Sequence, residues 1–161
     1  MTKLPSIAKF NHLSFPTNDV PATVSFFEKY LGFTASMAVP NKFAILKRPG
    51  LDVVIENSAN DAPTVLALAG AETRKSAFAD CVDKGTDVKW PRAFHIGLEF
   101  QTVEDVRTLR DSLKADGFEA ETDIFNNDRG SRFFLRAPGG VMVEFNTRSD
   151  AAEELRGTFD N

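Results

Sequence analysis

The sequence is poor in the residues on which several kinds of site depend. Its 161 residues include one cysteine, Cys81, which excludes an intramolecular disulfide and a CxxC metal site. The two histidines, His12 and His95, exclude any site that needs three imidazoles, and tyrosine-based chemistry would rest on Tyr30 alone. No apolar run is long enough to span a bilayer, so we expect no membrane partner.

Composition and charge narrow the class of protein further. The formal net charge is -4 and the pI is near 5.2, which argues against a nucleic-acid partner. With 42% hydrophobic and 26% charged residues, the chain has the composition of a soluble globular protein. The first residues, MTKLPSIAKF, lack the apolar segment of a signal peptide, so we expect a cytoplasmic location. Fifteen phenylalanines predict that the interior, or a substrate cup, is lined by rings without hydroxyl groups.

The chain contains two similar halves. Residues 10–35 and 94–120 each read as a short strand that begins near a histidine, a capped helix and a Gly-Phe exit. The helix signals are Asn18 or Asp19, Pro21 and Gly32 in the first half, and Thr102, Asp105 and Gly117 in the second. The two helices are therefore predicted to be equivalent.

Three extended segments follow each helix, so both halves are predicted to be βαβββ modules of an α+β fold. The predicted strands are Phe33–Val39, Phe43–Leu46 and Leu51–Glu56 in the first half, and Glu119–Phe125, Arg132–Leu135 and Val141–Phe145 in the second. We predict modules at residues 1–57 and 93–148, an inserted connecting segment at 58–92 and a polar tail at 149–161. The inserted segment is long enough to need structure of its own, with an extended stretch at Val65–Ala69 and a helix at Thr73–Lys84.

Side-chain alternation places four residues of metal-ligand type away from the helices. In the second half, Ile96 and Leu98 are the neighbours that pack on the helix, which turns His95 to the opposite face. His12, Glu56 and Glu144 are expected on the same kind of face. Each half therefore has a histidine near the start of its first strand and a glutamate near the end of its last strand.

At this point the chain resembles the vicinal oxygen chelate superfamily, which includes glyoxalase I, bleomycin-resistance and fosfomycin-resistance proteins and extradiol dioxygenases. The similar stretches are NHLSF at 11–15, DVPATVSFFEKYLGF at 19–33, FHIGLEF at 94–100 and RAPGGVMVEFN at 136–146. The resemblance implies two modules that form a cup-shaped mixed sheet with the helices on the outer face. It also implies a divalent ion (Zn, Ni, Mn, Co or Fe) with His12, Glu56, His95 and Glu144 as ligands, and Glu144 or Glu56 as the catalytic base.

The Pro-Gly turns that precede the last strand of each half do not decide which face of the strand Glu56 occupies. Glu56 falls seven residues after Pro49, whereas Glu144 falls six after Pro138. A strict alignment on the turns would put Ile55 at the ligand position and turn Glu56 to the other face, unless the turn before Glu56 is one residue longer.

Several functions are compatible with these residues. The principal prediction is a metal-dependent, glyoxalase-like lyase or isomerase that acts on a small molecule with adjacent oxygens. The alternative is a metal-free small-molecule binding protein of the bleomycin-resistance type; an extradiol dioxygenase would need a further His or Tyr near the substrate. Arg129 and Arg132 are candidates for binding an anionic group of the ligand. The alternative is that they are solvated charges at the edge of the sheet and bind no ligand. Open sheet edges and the Phe-rich composition predict a homodimer.

Overall fold

The computed structural model describes residues 11–57, 90, 91 and 93–159. The predictions for the inserted segment, including the helix at Thr73–Lys84 that contains Cys81, lie outside the described residues except at Trp90 and Pro91. The chain divides into two compact units, Met1–Thr86 and Asp87–Asn161. Each described unit contains one helix and four strands, which confirms the prediction of two βαβββ modules in an α+β fold.

The first module has the strand order β1-β4-β3-β2. Its elements are β1 (Leu13–Thr17), α1 (Val20–Leu31), β2 (Thr34–Val39), β3 (Phe43–Arg48) and β4 (Leu51–Asn57). The β1 and β4 strands are parallel and the other pairs are antiparallel. Asp19 caps α1 by accepting a hydrogen bond from the Ala22 amide at 2.9 Å, and Gly32 ends the helix with a φ of 69°.

The second module repeats this topology with the order β5-β8-β7-β6. Its elements are β5 (His95–Phe100), α2 (Val103–Ala115), β6 (Phe125–Asn127), β7 (Gly130–Arg136) and β8 (Met142–Thr147), followed by a 3₁₀ turn at Glu153–Leu155. Thr102 and Asp105 form the predicted capping box of α2. In the described residues, no helix is long and apolar enough to cross a membrane.

One strand differs from its prediction. Glu119–Phe125 was expected to be extended, but within that range Ala120 forms only an isolated bridge to Leu135, and β6 begins at Phe125. The amide of Phe134 donates to the Thr122 hydroxyl at 3.1 Å instead of to a backbone carbonyl. This side-chain contact replaces a ladder bond, so the strand pairing is interrupted here.

Each helix packs on one face of its own sheet, and that face forms the core of its module. In the first module, Phe27 is fully buried, with its ring centroid 5.7 Å from Phe15 and 5.4 Å from Phe33. In the second, the Phe133 and Phe145 rings stack at 5.0 Å beneath α2. No helix of the described residues packs on the opposite face of each sheet, which is called here the helix-free face.

Candidate functional site

The helix-free face of the second module carries His95 and Glu144. Alternation along β5 and β8 buries Ile96 and Val143 in the core and turns the other two side chains away from α2. In the parallel ladder, His95 pairs with Met142, and Glu144 lies two residues further along β8. Adjacent strands of one sheet thus bring the two predicted ligands together.

The imidazole and the carboxylate meet directly. Nε2 of His95 lies 3.1 Å from Oε2 of Glu144, which is buried, whereas 37% of the His95 side chain is exposed. The other ring nitrogen, Nδ1, lies 3.1 Å from the carbonyl oxygen of Ala93. A carbonyl oxygen only accepts hydrogen bonds, so oxygen acceptors lie next to both ring nitrogens. The distance between Nε2 and Oε2 fits a hydrogen bond between the two side chains, and it also fits an ion bound by both atoms.

Arg132 holds the other oxygen of the same carboxylate. Its side chain is buried, and Nη1 donates to Oε1 of Glu144 at 3.3 Å. Nη2 donates to Oδ1 of Asn127 at 3.0 Å and to the carbonyl of Gly130 at 3.1 Å. Burial and the nearby charge of Arg129 lower the pKa of Arg132, and Glu144 opposes this change. Sequence reasoning predicted Arg132 as a ligand-binding residue, but the structure places its guanidinium against Glu144, while Arg129 is exposed.

The turn that supports Arg132 is fixed by Asp150, a residue that sequence reasoning did not identify. Oδ1 of Asp150 accepts from the Ser131 amide at 3.0 Å, and Oδ2 accepts from the Ser131 hydroxyl at 2.7 Å and from the Asn126 amide group at 2.6 Å. Gly130 fits tightly below it, because a Cβ there would lie 2.2 Å from the Thr147 carbonyl oxygen. The only signal in the sequence is the glycine itself, which does not reveal its partner.

The first module does not repeat this arrangement. His12 lies seven residues before the helix cap Asp19, as His95 does before Thr102, so the two histidines are equivalent. Leu13 pairs with Val53 as Ile96 pairs with Val143, and the position equivalent to Glu144 is therefore occupied by Val54.

Glu56 lies on the helix-free face, two residues or about 6.6 Å beyond Val54 along β4. The hydroxyl of Ser14 donates to Oε1 of Glu56 at 3.4 Å, which fixes the face to which the carboxylate turns. Glu56 thus faces the side that the resemblance requires, but in a different register from Glu144.

The donors of the second module fit two neighbouring positions around one ion. Bonds of about 2.1 Å at a right angle would place a nitrogen and an oxygen about 3 Å apart, as His95 and Glu144 are. Both side chains also have the outer contacts typical of metal ligands, since Ala93 orients the imidazole and Arg132 orients the carboxylate. Across the part of the chain that the structure describes, no three His, Cys, Asp or Glu side chains form a group that could hold a metal ion.

Comparison with known families agrees with the fold and the repeat. A model described as the Glyoxalase/Bleomycin resistance protein/Dioxygenase superfamily matches residues 9–145. The chain is a member of this superfamily. The match spans both modules and covers the four stretches that carried the resemblance, except for the final Asn146. No curated protein sequence is significantly similar to this superfamily member.

Several solved structures share the superfamily fold. A possible glyoxalase from Bacillus cereus is 26% identical, with a TM-score of 0.61 over 87% of this chain and 99% of that one. Lactoylglutathione lyase from Agrobacterium tumefaciens is 12% identical, with a TM-score of 0.60 over 89% and 96%. A glyoxalase-related enzyme from Fulvimarina pelagi is 13% identical, with a TM-score of 0.61 over 88% of each chain. The last two identities are low enough that they support the fold alone.

Proposed function

We propose that this superfamily member is a divalent-metal-dependent, glyoxalase-like lyase or isomerase that acts on a small molecule with adjacent oxygens. The observation that supports the proposal is the contact between Nε2 of His95 and Oε2 of Glu144, which lie 3.1 Å apart, the spacing of two neighbouring ligands of one ion. Imidazole nitrogen and carboxylate oxygen suit Zn, Ni, Mn, Co or Fe(II).

The chain's own residues have distinct roles in this proposal. Glu144 accepts and returns the proton of the substrate, since it is a buried carboxylate beside the exposed imidazole. Arg132 holds one oxygen of Glu144 in place, so the second oxygen keeps a fixed direction. Arg129, at the exposed turn, attracts an anionic group of the substrate. When bound, the ion supplies Lewis-acid stabilisation of negative charge on the substrate oxygens.

The remaining ligands and the assembly stay predictions. His12 and Glu56 are the further ligands that the resemblance implies, and Glu56 is also the alternative base. The homodimer and the cytoplasmic location likewise remain predictions.

A second function, a metal-free binding protein of the bleomycin-resistance type, is favoured by one specific observation. Arg132 already places a positive charge 3.3 Å from Glu144, and a proton on Nε2 of His95 would complete the neutralisation without an ion. In that case, the same face binds a small molecule and performs no chemistry on it.

Metal content separates the two functions. We expect protein dialysed against Zn, Ni, Mn or Fe(II) in turn to retain about one ion per chain for at least one metal. His95→Ala should lose most of it, because it removes a donor. The matched control is Glu99→Gln, which lies on the same face of β5 but about 13 Å from His95.

Glu56 is tested in the same series. Loss of metal in Glu56→Gln would identify it as a ligand, and retained metal with lost turnover would identify it as a base. Far less than one ion per chain for every metal in the wild-type protein would refute the enzyme proposal and leave the binding protein.

A further inference from the structure

An aromatic surface lies beside the His95–Glu144 pair on the helix-free face of the second module. Phe134 on β7 pairs directly with Glu144, and its ring meets the His95 imidazole edge to face at 5.9 Å. Phe125 on β6 lies next to Phe134 with ring centroids 6.2 Å apart and planes only 19° from parallel. Phe125 is 39% exposed, although large apolar side chains are usually buried. We call Phe125 and Phe134 the aromatic platform.

Gly97 leaves space next to this platform. It pairs with Glu144 across the parallel ladder, on the side opposite to Phe134. Among the described residues, only Asn146 Nδ2, at 4.0 Å, would lie near a Cβ at Gly97, and the backbone there needs no glycine conformation. The glycine is therefore not required by the strand, and its missing side chain leaves room above Glu144.

The charges around the platform favour an anion. Arg132 and Arg129 both lie near it, and Arg132 Cζ is 5.9 Å from the centre of the Phe125 ring. Arg129 lies in the turn between β6, which carries Phe125, and β7, which carries Arg132 and Phe134. Glu144 pairs directly with Arg132, and Asp150 is bonded to Ser131 and Asn126, whereas no hydrogen bond or ion pair of the described residues involves the guanidinium of Arg129. Arg132 is buried and already bonded, which leaves Arg129 as the group that reaches the ligand.

We infer that the ligand of this site is a planar aromatic anion whose ring lies on Phe125 and Phe134, whose anionic group is drawn to Arg129, and whose edge enters the space above Gly97. The inference rests on the proposed function for the location of the site, but it does not require the metal. The partly exposed rings of Phe125 and Phe134 offer apolar contact area to an aromatic ring, and a guanidinium binds a carboxylate in two-point contact.

The test uses 2-naphthoate as the probe and 2-naphthylmethanol as its neutral analogue, titrated by calorimetry into full-length protein treated with EDTA. We expect 2-naphthoate to bind more tightly than the alcohol. Phe125→Ala should weaken both probes about tenfold, because each loses the ring contact. Arg129→Gln should weaken only the anionic probe.

Two further variants complete the design. Gly97→Val should abolish binding of both probes with an unchanged melting temperature, because valine suits a strand and fills the open space. Phe159→Ala is the matched control, since Phe159 is 69% exposed and its ring also lies against an arginine, Arg148, but on the tail. It should leave both affinities unchanged.

Equal binding by wild type, Phe125→Ala and Gly97→Val would overturn the inference, as would equal affinity for the two probes. Failure of the proposed function gives a different pattern. A protein that retains no metal but binds 2-naphthoate through Phe125 supports the inference and removes the enzyme proposal, whereas retained metal without probe binding does the reverse.

Discussion

Removal of the guanidinium of Arg132 should destabilise the second module strongly. Arg132→Met keeps the apolar stem of the side chain and deletes only the charged group. The deletion takes the cation at 3.3 Å away from the buried carboxylate of Glu144 and removes one donor from the Gly130 carbonyl, whereas Oδ1 of Asn127 keeps its bond from the Arg129 amide at 3.0 Å. Breaking a buried ion pair on one side costs about 3–5 kcal/mol of unfolding free energy, and the contact that His95 keeps with Glu144 at 3.1 Å places the expected loss at the lower end of this range.

A matched control lies on the same strand and the same face. Arg136 follows Arg132 by four residues on β7, so strand alternation turns both side chains to one side of the sheet. Nε of Arg136 contacts Oε1 of Glu121 at 2.8 Å, with both side chains nearly half exposed. Exposed ion pairs contribute about 0–1 kcal/mol, so Arg136→Met should have a small effect. The two variants remove the same group from the same strand and differ mainly in burial.

The double variant Arg132→Met/Glu144→Gln tests whether the charge itself is responsible. It removes both members of the pair, so no uncompensated charge stays buried, and its cost should be well below the sum of the two single variants. Urea denaturation followed by circular dichroism gives the free energies of unfolding, with EDTA present so that metal binding does not contribute. An Arg132→Met variant no less stable than Arg136→Met would refute the reasoning.

Two further predictions concern the turn below Arg132. Gly130→Ala should destabilise the protein by more than about 4 kcal/mol, because its Cβ would overlap the Thr147 carbonyl oxygen at 2.2 Å. Gly117 has a similar positive φ but open space around it, so Gly117→Ala should cost only about 1–2 kcal/mol. Equal losses in urea titrations would contradict the close contact at Gly130. Burial opposes ionisation of Asp150, but hydrogen bonds from Ser131 outweigh it and lower the pKa of the carboxyl. Its stabilising effect should therefore be complete above the ordinary pKa and lost as the pH falls through the lowered value. The stability difference between wild type and Asp150→Asn should shrink as the pH falls below the ordinary aspartate pKa, and a constant difference would be the contrary result.

The fold was predictable because its signals are local and occur twice. Helix caps, terminal glycines and strand alternation each depend on a few neighbouring residues, and Asp19, Thr102 and Gly32 act as predicted. The expected strand at Glu119–Phe125 was wrong because the Thr122 side chain, instead of a backbone carbonyl, accepts the hydrogen bond from the Phe134 amide. Strand propensity does not predict which of these two acceptors is used.

The site was predictable only in part, since contacts between distant residues depend on register. Alternation correctly turned His95 and Glu144 to one face, but the contact between Arg132 and Glu144 is diagonal, because Arg132 pairs with Asn146 in the ladder. No sequence spacing specifies such a diagonal contact.

The face of Glu56 depended on the lengths of the two Pro-Gly turns. Arg48 pairs with Leu51 across a two-residue turn, whereas the amide of Ala137 donates to the carbonyl of Val141 across a turn one residue longer. The difference shifts the position equivalent to Glu144 from Ile55 to Val54, and it returns Glu56 to the helix-free face.

The contact between Asp150 and the β6–β7 turn sets a practical limit on exchanging modules between relatives. By its repeat, the second module ends at Arg148, and a chimaera designed on the repeat would be cut there. Asp150 holds Ser131, and the Ala152 amide donates to the carbonyl of Asp128 at 2.8 Å, so both bonds would be lost at that junction. A transplanted module must therefore carry its donor's own residues through at least position 152, or the recipient's tail will meet a turn that it does not match.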